Sequence, residues 1–146
     1  MMPAPLQTLR RHPKSGILSV RARLAKGERP LDWVGSSKRD FLAFPAPVQD
    51  EMGNALGLAQ FGGTHPKAKP WRGQGAGVFE VAEDHDGDTY RAVYTVRFRN
   101  IVYVLHAFQK KSPKGIRTAR TDIDMIARRL KIAQQDYEAR YGTSKH

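Results

Sequence analysis

The chain has 146 residues, no cysteine, a formal net charge of +11 and an isoelectric point near 10.3. That length fits a single domain with a real core, and the lack of cysteine excludes a disulfide scaffold and thiolate metal sites. No apolar run approaches the roughly 20 residues needed to span a bilayer, and the positive charge points to an acidic partner without choosing among nucleic acid, anionic surface and protein.

Residues 1–29 carry Arg10, Arg11, Lys14, Arg21, Arg23, Lys26 and Arg29 against the single acid Glu28, with prolines at 3, 5 and 13. Such a segment has little to bury and is expected as a mobile or loosely packed arm, either a nucleic-acid contact or an extension without a role. Its short apolar patch Ile17, Leu18, Val20 does not read as a secretory signal, and a reducing cytoplasm is the expected compartment.

The folded domain is expected over 30–146. Leu31-Asp32-Trp33-Val34 alternates and stops at Gly35, a short strand. Ser37 with Asp40 three residues later is a helix-start signal, and that helix, Lys38 to Phe44, breaks at Pro45. Pro47 suits the first turn of a second helix running to Phe61, with Val48, Met52, Ala55, Leu56 and Ala59 as its apolar stripe and Gly62-Gly63 as its stop. Thr64 to Gly77 is a loop holding Lys67, Lys69, Trp71, Arg72 and the run GQGAG. A strand, Val78–Val81, follows it rather than a helix, so the run is not a dinucleotide-binding motif. Glu83 to Asp88 lacks the flanking helices and terminal Glu of a calcium loop and is expected as a turn around Asp86-Gly87.

Asp88 to Lys110 then reads as a hairpin closed by Arg99-Asn100. If Phe98 pairs with Ile101, Val93 faces His106, Arg91 faces Phe108 and Thr89 faces Lys110, and opposed residues share a face. One side would carry Tyr90, Tyr94, Phe98, Ile101, Tyr103, Leu105 and Ala107 as core. The other would gather Arg91, Arg97, His106, Phe108 and Lys110 as an open basin suited to a polyanion. A solvated sheet face is the plainer alternative. Beyond it lies a basic loop with Lys111, Lys114 and Arg117. A last helix follows, capped by Thr121 and Asp124, with Ile123, Ile126, Leu130, Ala133, Tyr137 and Tyr141 as its stripe. Arg128, Arg129, Lys131 and Arg140 are expected on its solvated face.

The expected class is α+β, in the order β-α-α-β-β-β-α, with a small antiparallel sheet and its helices on one face. That order, with the segments WVGSSKRDFLAFP, KPWRGQGAGVFEV, EDHDGDTYRAVYTVRF and VYVLHAFQKKSPKGI, resembles the RelE/ParE superfamily of bacterial toxins, nearest its phage-related HigB-like branch. The resemblance covers Pro30 to Tyr141. It implies the toxin of a type II toxin–antitoxin pair, neutralised by a cognate antitoxin that is often a helix-turn-helix protein of the HigA kind. It further implies ribosome-dependent cleavage of mRNA without a metal or other cofactor. Relatives of the ParE type share the fold but inhibit DNA gyrase, and a degenerate phage-derived RNA binder is a third reading.

Metal-free cleavage needs a base for the 2′ proton, cations for the phosphorane and an acid for the leaving oxygen. By the resemblance, Arg91 matches the arginine of the YRLVY strand of RelE-type toxins, and Lys110, or Lys111 beside it, falls near a second cationic position. His106 shares their face and is the candidate proton-transfer group. Phe108 is a candidate for stacking on a splayed base, and Lys69, Arg72, Arg97, Lys111 and Lys114 for RNA contacts. The lysines that RelE-type enzymes carry on the strand corresponding to Val78–Val81 are absent, and His85 is the nearest counterpart of a HigB loop histidine.

Overall fold

The computed structural model describes residues 24–110 and 118–142, together with the backbone of 8–11 and 17–21. The strands are β1 (Thr8–Arg11), β2 (Ile17–Arg21), β3 (Leu31–Val34), β4 (Ala68–Pro70), β5 (Val78–His85), β6 (Asp88–Thr95) and β7 (Val102–Lys110). The helices are α1 (Ser37–Leu42), α2 (Ala46–Gln60) and α3 (Arg120–Tyr141). Strands β3 to β7 form a five-stranded mixed sheet carrying the helices, an α+β architecture in the expected order. The hairpin β1–β2 continues that sheet on the edge of β3, so parts of the expected arm form strands. Every neighbouring pair is antiparallel except β3–β7, whose parallel pairing is allowed by the long connection between them through α1, α2, β4, β5 and β6. No helix among the described residues is long and apolar enough to cross a membrane.

The helices start and stop for local reasons. Pro45 and Pro47 flank the first turn of α2, where a missing N–H costs nothing. At α1 the expected serine shifts by one: Ser36 occupies the cap position and its hydroxyl donates to Asp40 Oδ2 (2.7 Å), while Ser37 is buried and donates to the carbonyl of Val104 (3.2 Å). Helix α3 starts at Arg120, and Asp124 there pairs with Arg120 rather than capping through Thr121. The β5–β6 connection is the expected tight turn, with Asp86 and Gly87 at φ 50 and 84, and His85 pairing with Asp88.

In the long hairpin, Thr89–Lys110, Arg91–Phe108 and Val93–His106 pair as expected, but the next pair is Tyr94–Val104. A bulge at this step leaves Leu105 as the extra residue on β7, and everything toward the loop slips by one. Since side chains alternate, the slip reverses the faces of β7 between the bulge and the loop, while the residues beyond the bulge keep the faces expected. Tyr90, Tyr94, Val104 and Ala107 pack with α1 and α2, around Trp33, Phe41, Phe44, Val48, Met52 and Leu56. Phe98, Ile101, Tyr103, Leu105 and Phe108 pack with Ile126, Leu130, Ala133 and Tyr137 of α3. The helices cover both faces, α1–α2 on one and α3 on the other, rather than the one face expected. Each fully buried side chain such as Met52 or Leu56 contributes about 1.5–3 kcal/mol by burial.

Candidate nucleic-acid interface

Placement under α3 changes what the hairpin residues can do. His106 is buried (7% exposed), and both its ring nitrogens are engaged. Arg129 Nη1 lies 3.3 Å from Nδ1, and since a guanidinium can only donate, Nδ1 accepts and Nε2 carries the proton donated to Asp122 Oδ1 at 2.7 Å. Burial pushes the imidazole pKa down, and Arg129 adds to the shift against the pull of Asp122. The open basin expected around His106 is absent because α3 sits on it. His106 is a neutral link between β7 and α3. Phe108, also buried, stacks on that imidazole at 4.8 Å and 19°, so it is not open to a base.

Arg129, expected on a solvated surface, is buried beneath α3. Its guanidinium donates to the bulge carbonyl of Leu105 (3.0 Å) and to Ser36 Oγ (3.0 Å). It also lies against Gly35, where an added Cβ would come within 3.0 Å of Nε at a backbone φ of +58. Arg140 is likewise drawn in, paired with Asp32 and with Asp136, which also accepts from the Tyr103 hydroxyl at 2.7 Å. Arg97 is a clamp rather than a phosphate contact. Its side chain donates to the carbonyls of Ala76 (2.9 Å) and Gln74, holding the glycine-rich loop, and a Cβ on Gly77 would meet Arg97 Cα at 3.2 Å. That close approach is what the GQGAG run serves.

The open part of this face lies beyond the N-terminal end of α3. Across four strands the register partners are Lys69, Glu80, Val93 and His106, so Lys69 and Glu80 share the α3 face, with Arg91 in the adjacent row. Arg91 Nη1 donates to Glu80 Oε1 at 2.8 Å, both side chains being mostly buried, while Arg91 Nε is buried with no partner among the described residues. Lys110 lies in the next row. Burial lowers the pKa of its ammonium, the Arg91 charge adds to the shift and Glu80 opposes it. Next to these, Lys69, Pro70, Trp71, Arg72, Glu80, Thr118 and Ile123 line a cleft of about 700 Å³. Lys69 and Arg72 are exposed and make no hydrogen bond or ion pair among the described residues. Trp71 is fixed by its backbone N–H to the Val78 carbonyl (2.8 Å), and its indole Nε1 is buried with no partner among the described residues. Lys111 and Lys114 lie outside the described residues.

Glu80 and Trp71 were not among the candidates read from the sequence. Glu80 was within reach: a two-residue turn at Asp86-Gly87 sets Ala82 opposite Arg91 and Glu80 opposite Val93, hence Glu80 diagonal to Arg91. Trp71 carried no signal beyond its basic neighbours.

The architecture, with two helices on one face of a small mixed sheet, a third on the other and a basic cleft at its end, is that of a small α+β protein and is consistent with a RelE-like fold. Residues 39–131 match the family described as phage-derived protein Gp49-like (DUF891), and the chain belongs to that family, which lies within the RelE/ParE-like toxin superfamily. The match gives no particular support to the HigB-like branch. No curated protein and no solved structure matches the chain.

Proposed function

We propose that residues 30–146 form the toxin of a toxin–antitoxin pair, acting as a ribosome-dependent mRNA endoribonuclease that needs no metal. The observation that carries this is the mostly buried Glu80–Arg91 pair beside a cleft with a tryptophan and two cations that are unpaired among the described residues. In this reading Glu80 takes the proton from the 2′-hydroxyl as its oxygen attacks phosphorus. Arg91 stabilises the equatorial charge through its fixed fork. Lys110 gives a proton to the departing 5′ oxygen, a task helped by the lowering of its pKa. The products are a 2′,3′-cyclic phosphate and a 5′-hydroxyl. Lys69 and Arg72 hold neighbouring phosphates, and Trp71 offers a base-stacking ring. His106 is not a reacting group; it fixes β7 to α3 beneath the site. The partner would be a cognate antitoxin, a helix-turn-helix protein of the HigA kind, covering a basic cleft of this sort with acidic side chains.

Removing one such stabiliser usually costs about 10²–10³ in rate. Arg91→Gln should therefore relieve growth arrest in cells lacking antitoxin and abolish codon-positioned cuts in primer extension. Undiminished arrest by a folded Arg91→Gln protein would reject the site. A second reading, a non-catalytic inhibitor of a protein such as DNA gyrase, draws on Leu58 and Phe61, exposed beside Gly53 and Gly57 on α2. It requires Leu58→Ser with Phe61→Ser to relieve arrest while Arg91→Gln does not. A degenerate RNA binder would cause no arrest at all.

A further inference from the structure

A second site lies at the other end of α3. Phe98 and Tyr137 are buried with ring centroids 5.1 Å apart, and Tyr141 continues the stack at 4.8 Å and 32°. The inner rings are held firmly: Tyr103 meets Phe98 edge-on at 5.6 Å, and Asn100 Nδ2 donates to the Tyr137 hydroxyl at 3.1 Å. The outer ring is 48% exposed and borders a cavity of about 460 Å³ that Arg99, Gln134 and Glu138 also line. Arg97 borders it too, but its guanidinium is committed to loop carbonyls. Arg99 is exposed and makes no hydrogen bond or ion pair among the described residues.

An aromatic ring held at the end of a braced stack, with an uncommitted guanidinium beside it, matches the requirements of an unpaired nucleobase and its phosphate. Beyond the rings the lining is charged or amide-bearing, so an apolar peptide anchor would find no aliphatic wall. Glu138 and the last carbonyls of α3 offer acceptors to a base edge and disfavour phosphate at the helix end, which leaves Arg99 as the phosphate contact. We propose that Tyr141 and Arg99 form a second single-stranded RNA contact, in which a base stacks on Tyr141. The proposal rests on the RNA reading of the cleft, from which it is separated by about 27 Å along α3, counted from Ile123 to Tyr141. One strand would thus be held at two points, at opposite ends of the helix.

The test is the affinity of the full chain for a fluorescein-labelled, unstructured, adenine-rich RNA, read by anisotropy at fixed salt. One stacked base is worth roughly a 5- to 150-fold change in Kd. Tyr141→Ala should weaken binding by that factor, Tyr141→Phe should restore it, and Tyr141→Leu should be as weak as alanine. A 2-aminopurine base in the strand should be quenched by wild type and not by Tyr141→Ala. Wild-type affinity in Tyr141→Ala, with loss in Lys69→Ala/Arg72→Ala, would overturn this site and leave the cleft standing. Full affinity in Tyr141→Leu would mean apolar contact rather than stacking and would also overturn it. No RNA affinity in the wild type would remove the cleft reading and this one together.

Discussion

The two faces of the sheet both carry apolar cores, but only one of them is threaded with buried charge. Under α1 and α2 lie Trp33, Phe41, Phe44, Val48, Met52, Val81 and Tyr94, dry enough that burial pushes the Tyr94 hydroxyl up to about 12 and leaves it without a partner. Under and beside α3, among Leu105, Phe108, Ile126 and Leu130, lie Asp32, His106, Arg129 and Asp136, buried and linked by the Arg129 and Arg140 networks, with Lys110 buried on the same face. An apolar layer is the cheaper way to attach a helix, since buried charge must recover its desolvation cost through partners. The α1–α2 face thus reads as the side that makes the fold. The α3 face spends stability to hold polar groups in fixed positions, and its uncovered end is where the Glu80–Arg91 pair lies beside the cleft.

This contrast can be broken by substitution. The largest effect should come from the dry face: Leu56→Ala, deleting a side chain only 2% exposed, should cost about 2–5 kcal/mol in urea unfolding. On the other face Arg129→Met should cost about 3 kcal/mol, because it strands the Leu105 carbonyl and the His106 Nδ1 in the interior. A neutral result there would mean that the polar network holds nothing in place.

The pH dependence should separate the faces further. Burial holds the folded His106 pKa below its unfolded value near 6.5, so the unfolded chain takes up the proton first. Its contribution is intact above about pH 6.5 and is lost as pH falls below that, with a slope of at most about 1.4 kcal/mol per pH unit. His106→Gln, which keeps a donor and an acceptor, should flatten that part of the stability profile; an unchanged profile would refute a buried neutral histidine. The smallest effect belongs to an exposed pair at the sheet's far edge. Lys67→Ala, which removes a 2.9 Å bond to Glu83, should leave the urea unfolding midpoint almost unchanged, with a still smaller effect in high salt.

Much of this was legible in the residues. The pairs Thr89–Lys110, Arg91–Phe108 and Val93–His106 are those expected, though the register beside the loop is one residue off and only the bulge restores it, and the α2 stripe Val48, Met52, Ala55, Leu56, Ala59 is buried as its spacing requires. In α3 the stripe held from Ile126 to Tyr137, while Ile123 and Tyr141 at its ends are exposed. The candidate site was half legible. Arg91, Lys69 and Arg72 come to the cleft or its margin, whereas His106 and Phe108 lie beneath α3 and Arg97 serves a loop.

Periodicity and turn chemistry are local, and they sufficed for element types, their order and the basic character of the molecule. They specify that a residue is buried, not what buries it. One extra residue at Leu105 turned the loop-side part of β7 to the opposite face from the one expected, and only the packed chain decides where such a bulge sits. The side on which α3 docks, the engagement of His106 by Asp122 and Arg129, and the pairing of Glu80 with Arg91 all depend on contacts between distant segments. Distance along the chain hides such contacts, and the energy that selects among them is shared across the whole core.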